Sequence, residues 1–220
     1  MARRTRAALT AALAIALLAG CGDDGGAAPG RAGTPTPAAT GEPWFDEIAA
    51  AESAVRVGGA GTPCPLPVTF PVPKGWKPKG IDAPTDETGA EIFAALARRG
   101  GTTARCEVDG RRAGGGFLRV WTADQPTAQP RAALEAYVAG TRDAVGDTRY
   151  REVRVGGLDG VEATWVETSE LLDEDERAWA VAVRAGDRTV LLTAKESLLA
   201  EPADLLPAYR LAVSGLGVTA

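Results

Sequence analysis

Gly160-Val161-Glu162-Ala163-Thr164-Trp165-Val166 and, after an acidic turn, Trp179-Ala180-Val181-Ala182-Val183 alternate with a period of two. This spacing predicts strands over 160–171 and 177–185, with neighbours at 148–155 and 188–194. Gly156 to Gly160 turns the first pair, Asp173-Glu174-Asp175-Glu176 the second and Gly186-Asp187 the third. Connectors this short favour antiparallel neighbours, because a parallel pairing needs a long crossover. Val161, Ala163 and Trp165 oppose Thr164 and Val166, while Trp179, Val181 and Val183 oppose Ala180 and Ala182. One face is expected to be bulkier and the other rich in small residues. Both need cover.

Outward from this meander, four helices are expected. Trp44, Phe45, Ile48, Ala51 and Val55 recur at helical spacing over 44–56, and Ile92, Phe93 and Leu96 over 91–99. Leu134, Tyr137, Val138, Thr141 and Val145 mark a third helix from Pro130 to Val145, with Gly146 after its end. Leu206, Tyr209, Val213 and Leu216 mark the last, from Ala203 to Leu216. Further strands are expected at 66–72, 76–81, 105–108 and 116–121, the first confined by its prolines to an edge or an irregular ladder. The fold class is α+β, an antiparallel sheet with helices on both faces.

The chain has 220 residues and a formal charge of −5. Residues 1–20 read as a cleaved lipoprotein signal peptide. Arg3, Arg4 and Arg6 precede an apolar run from Ala7 to Leu18, and Leu18-Ala19-Gly20-Cys21 follows directly. That run is too short to span a bilayer, which takes about 20 apolar residues. Cys21 is the expected site of lipid attachment; a plain secretory cleavage with Cys21 as first residue is the competing reading. Two acyl chains, at about 0.8 kcal/mol per buried methylene, hold a protein stably at a membrane. Arg3-Arg4 also suggests twin-arginine export, but the residues after it lack the usual continuation. Residues 21–42, rich in Gly, Ala, Pro and Thr, read as a lipidated disordered tether with a reach of roughly 25 Å. Residues 43–220 are expected to form one globular domain.

The leader holds three of the 24 basic residues and no acids, so the remainder carries 21 basic against 29 acidic side chains, formally −8. That balance argues against nucleic acid as a partner. Histidine is absent, which removes Ser-His-Asp triads, Cys-His pairs and histidine-bound zinc. With Cys21 acylated, Cys64 and Cys106 are the remaining thiols. An even pair outside the reducing cytoplasm reads as one disulfide closing about 43 residues, contributing roughly 4 kcal/mol; two buried free thiols are the alternative. No cofactor or metal is expected. Asp173 to Glu176 lacks the ligand spacing and glycine of a calcium loop, and Asp86-Glu87 reads as solvated loop charge. Gly114-Gly115-Gly116 precedes a strand and lacks the Lys-Ser/Thr of a phosphate cradle. Lys195 and Ser197 suggest a Ser-Lys dyad without the rest of such a site. Trp76, beside Gly75 and among Lys74, Lys77 and Lys79, is the tryptophan expected to be exposed and able to stack on a sugar.

Pro63-Cys64-Pro65-Leu66-Pro67-Val68-Thr69-Phe70, Lys74-Gly75-Trp76-Lys77-Pro78, Arg105-Cys106-Glu107-Val108-Asp109 and Gly116-Phe117-Leu118-Arg119-Val120-Trp121 resemble an uncharacterised family of secreted actinobacterial lipoproteins of Streptomyces type. Ser169-Glu170-Leu171-Leu172-Asp173 and Leu206-Pro207-Ala208-Tyr209-Arg210-Leu211-Ala212 extend the likeness over nearly the whole body. The resemblance implies an envelope lipoprotein and transfers no catalytic residue. More loosely, the layout is similar to mycobacterial Lpq-type lipoproteins with a PsbP-like α/β/α sandwich, which implies a binding or assembly module.

The combined reading is a non-enzymatic protein at the extracytoplasmic face of the cell membrane. Its partners are the membrane, through a diacylglycerol anchor, and an envelope protein or glycan. A small-molecule carrier or sensor and a histidine-free glycan hydrolase are the rivals; the hydrolase needs two carboxylates about 5–10 Å apart in a cleft. Cys21→Ser is expected to release the protein from membranes or block its processing. Fractionation of the native host checks this, and detergent-dependent retention of the variant would refute anchoring through this thiol.

Overall fold

A computed structural model describes residues 41–169, 173–198 and 200–219. The leader, Cys21, the tether as far as residue 40, and Glu170 to Leu172 lie outside the described residues. In chain order the elements are β1 (Val55–Gly58), β2 (Val68–Val72), β3 (Lys77–Gly80), α1 (Glu87–Ala97), β4 (Arg98–Arg99), β5 (Thr102–Asp109) and β6 (Phe117–Ala123). There follow α2 (Pro130–Ala139), β7 (Ala144–Val155), β8 (Leu158–Ser169), β9 (Glu174–Ala185), β10 (Arg188–Lys195), α3 (Pro202–Ser214) and β11 (Gly217–Val218). The main sheet runs β3-β5-β6-β10-β9-β8-β7, with β4 paired to β5, and every pairing is antiparallel. A second sheet has the order β1-β2-β11. The class is α+β.

Register explains how both faces of the main sheet are filled. Val161, Ala163 and Trp165 of β8 lie opposite Ala182, Ala180 and Ala178 of β9. Across the other face, Trp179, Val181 and Val183 of β9 lie opposite Thr164, Glu162 and Gly160. The expected division into a bulky and a small face is therefore corrected. Each face pairs a large strand with a small one, which keeps both surfaces level for a helix to pack on.

Ala133, Leu134, Tyr137 and Val138 of α2 cover the face carrying Trp165. Leu205, Leu206, Tyr209 and Ala212 of α3 cover the opposite face, together with Val68, Phe70 and Val72 of β2. Each fully buried leucine of these helices contributes about 1.5–3 kcal/mol. Pro71 of β2 lies beyond the reach of β11, which pairs with Val68 and Thr69 alone, so its missing N–H interrupts no ladder there.

Two expected helices change. Residues 44–56 are not helical: 41–48 form turns and the chain then extends into β1. Arg210 Nη2 donates to the Trp44 and Phe45 carbonyls at 2.7 Å each, groups that a helix would need for its own ladder. Asp46 accepts two bonds from Arg151, at 2.6 and 2.8 Å, which holds the turn against β7. The third helix ends at Ala139 rather than Val145. Gly140 packs against the backbone of Gly100, and residues from Ala144 onward belong to β7.

Trp76 is buried rather than exposed, at 5% accessibility. Its indole lies over Gly110 and Gly115, where any added Cβ would collide with the ring. This gives part of the glycine run a packing purpose and removes the indole from sugar stacking. Cys64 and Cys106 form a disulfide with Cα atoms 5.5 Å apart, in the core of the α3-covered face. It ties the loop before β2 to the main sheet.

Candidate functional site

Where β4, the end of α2, β8 and β10 meet, a cleft of about 570 Å³ opens on the α2 side of the sheet. A close backbone approach positions two of its lining residues. Gly100, at φ 52°, turns the chain between β4 and β5, and the Ala136 carbonyl of α2 occupies the space a Cβ would need. This contact brings Arg99 beside Tyr137.

Arg99 donates from Nε to the Tyr137 carbonyl at 2.8 Å, and its guanidinium lies 4.2 Å from the centre of the Tyr137 ring. Its Nη2 pairs with Glu167 Oε1. Glu167, on β8, is 2% exposed and also accepts from Trp165 Nε1 at 2.8 Å. Lys195, at the end of β10, reaches Glu167 Oε2 at 2.8 Å and Glu176 Oε2 at 2.7 Å, with Asp143 Oδ2 at 3.8 Å. Tyr137 stands edge-on to Trp121 and Trp165, so an aromatic wall backs the charged cluster.

Burial pushes the Glu167 carboxyl up, but the Arg99 charge and the bonds from Lys195, Trp165 and Arg99 outweigh it and hold it below its ordinary value. Burial likewise pushes the Lys195 ammonium down, and Glu167 and Glu176 together raise it above its ordinary value. A lysine base must be neutral, so this environment opposes the Lys195–Ser197 dyad suggested by spacing. Burial raises Glu196, against the Arg177 backbone N–H that donates to its Oε2 at 2.7 Å.

The rim differs from the interior. Arg98 and Arg142 line the cleft, are exposed, and make no ion pair among the described residues. Arg119, also on the rim, is paired with Glu107 at 2.7 Å.

The acidic runs fall elsewhere than in plain loops. Asp86 caps α1 by accepting from the Gly89 N–H at 2.7 Å, and Glu87 opens that helix. Glu174 to Glu176 begin β9, and Asp175 accepts from the Thr168 hydroxyl at 2.6 Å. No group of three or more metal-ligating side chains is placed to hold an ion among the described residues. No described helix is long and apolar enough to cross a membrane. Sequence reasoning missed the Arg99–Glu167 cluster and the rim arginines Arg98 and Arg142. A signal was present: Glu167 continues the buried phase of Val161, Ala163 and Trp165, where a charge demands partners.

The profile of a family described as uncharacterised lipoprotein matches residues 34–216. The chain belongs to that family. No curated protein sequence matches it. Among solved structures it is similar to LpqN of Mycobacterium tuberculosis, a protein involved in cell envelope biogenesis, at 12% identity and a TM-score of 0.38. The alignment covers 76% of this chain and 90% of that one. Family membership makes this chain a lipoprotein, which implies attachment to a membrane.

Glu167 contributes stability that is fully present above its unfolded value of 4.5 and is lost as pH falls through its lower folded value. Glu167→Gln is expected to cost about 2 kcal/mol at neutral pH, with Arg99 and Lys195 partly hydrated in compensation. The variant should also show a shallower loss of stability below pH 4.5. Urea unfolding across pH 3–7 checks both, and parallel curves for the two proteins would contradict the assignment.

Proposed function

We propose that the protein is a non-catalytic binding module of the cell envelope. It is held at the extracytoplasmic face of the membrane by a diacylglycerol on Cys21, and a PsbP-like α/β/α sandwich presents the cleft to its ligand. One contrast carries this reading: the interior carboxylate Glu167 is neutralised by Arg99 and Lys195, whereas Arg98 and Arg142 on the rim make no ion pair among the described residues. An enzyme working by acid and base needs a proton donor and an acceptor left free to face the substrate. A binding site needs free charge at its mouth and a pre-formed interior, as here. The volume lies in the range of small-ligand sites, so the reading includes a carrier or sensor.

The hydrolase rival would use Glu196, the one acid at the cleft raised by burial, as its proton donor. Its Oε2 is occupied by the Arg177 N–H, which favours binding over that chemistry.

Hydrogen exchange on the purified chain, with and without an extract of host envelope, tests the proposal. Backbone protection is expected to rise at 95–99, 140–143 and 193–197, with the extract unchanged in composition. Release of new products by the wild-type chain, abolished in Glu196→Gln, would replace this reading with hydrolysis.

A further inference from the structure

Beside the cleft lies a second hollow of about 430 Å³, between α1 and the sheet. Its walls are Ile81, Ile92, Phe93, Leu96, Ala97 and Ala104, and Arg119 is the one charged residue lining it. Leu96 and Arg119 line both spaces, so the two hollows adjoin. Ile92 is 56% exposed and Leu96 71%, an unusual cost for large aliphatic residues flanking an open apolar surface. One end of the combined surface is thus greasy, and the other carries two guanidinium groups that make no ion pair among the described residues.

Charge complementarity and membrane attachment narrow what would fill it. Two rim arginines without an ion pair among the described residues favour a carboxylate or phosphate, and the apolar hollow favours a hydrocarbon chain. Family membership implies attachment to a membrane, the source of such molecules.

We propose that the cleft and the hollow beneath α1 together bind a single-chain anionic amphiphile drawn from the membrane. The head group sits on Arg98 and Arg142, and the tail lies along Ile92, Phe93 and Leu96. This deepens the binding reading above and rests on it. The net negative charge of the protein does not oppose it, because a single head group meets the local pair and not the whole surface.

Calorimetric titration of the purified chain carrying Cys21→Ser, which needs no detergent, tests the proposal with three probes below any micelle threshold. Dodecyl phosphate is expected to bind one to one. Inorganic phosphate and the uncharged dodecyl maltoside should each bind at least about tenfold more weakly. Arg98→Ala with Arg142→Ala, and separately Leu96→Glu, should each weaken dodecyl phosphate by about tenfold or more. All three positions are exposed, so an unchanged urea midpoint verifies that the variants are folded. Equal binding of inorganic phosphate would overturn the role of the tail, and equal binding of dodecyl maltoside that of the arginines. Absence of dodecyl phosphate binding would overturn the proposal outright. Envelope extract that still protected the cleft in the same preparation would then leave the broader binding reading standing, and loss of both responses would end it too.

Discussion

Two buried glutamates on one strand constrain this fold. Glu162 and Glu167 are 5% and 2% exposed, and an odd separation along β8 sends them to opposite faces of the sheet. Neither can be buried alone, because an unpaired carboxylate in an apolar interior is far too costly. On the α3 side Glu162 accepts from Arg151 at 2.7 Å and from the Tyr209 hydroxyl at 3.0 Å. On the α2 side Glu167 is met by Arg99, Lys195 and Trp165. Sliding β8 by one residue would exchange the faces and strand both charges. The register of the central meander is thereby fixed by charge as well as by hydrophobic alternation.

Each cluster then organises what surrounds it. Arg151 also grips Asp46, and Arg210 approaches the same carboxylate at 3.3 Å, so the first described residues are fastened to β7 and α3. The hydrogen bonds from Arg151, with its charge, lower the Asp46 carboxyl against burial, while burial and Glu162 raise the Tyr209 hydroxyl well above its usual value. On the other side, the Glu167 cluster draws together β4, β8, β9 and β10 beside the end of α2. That convergence makes the cleft wall. The cleft is a consequence of solving a buried-charge problem, and its interior charges are spent on that solution.

The meander, its glycine turns and the last helix were legible because alternation and short polar connectors act locally, whereas Glu174 to Glu176, read as a turn, begin β9. Also legible were the lipoprotein character, in the family motifs, and the pairing of Cys64 with Cys106, in the parity of the cysteines. The helix expected at 44–56 failed for a reason periodicity does not carry: its carbonyls serve Arg210, more than 160 residues away. Trp76 looked exposed because its sequence neighbours are lysines, yet it is sealed by Gly110 and Gly115 from a distant turn. The cleft was equally hidden. Arg99, Glu167 and Lys195 come from three separate strands, and only the phase of Glu167 hinted at them.

The account turns on Glu167 being a permanent structural anion rather than a proton donor. Carbon-detected NMR titration of its carboxyl group reads this directly. The prediction is a midpoint below 4.5 that does not move when Arg98 and Arg142 are replaced by alanine. A midpoint above 4.5 would contradict it, because the group would then be protonated more readily than in water and available for acid chemistry.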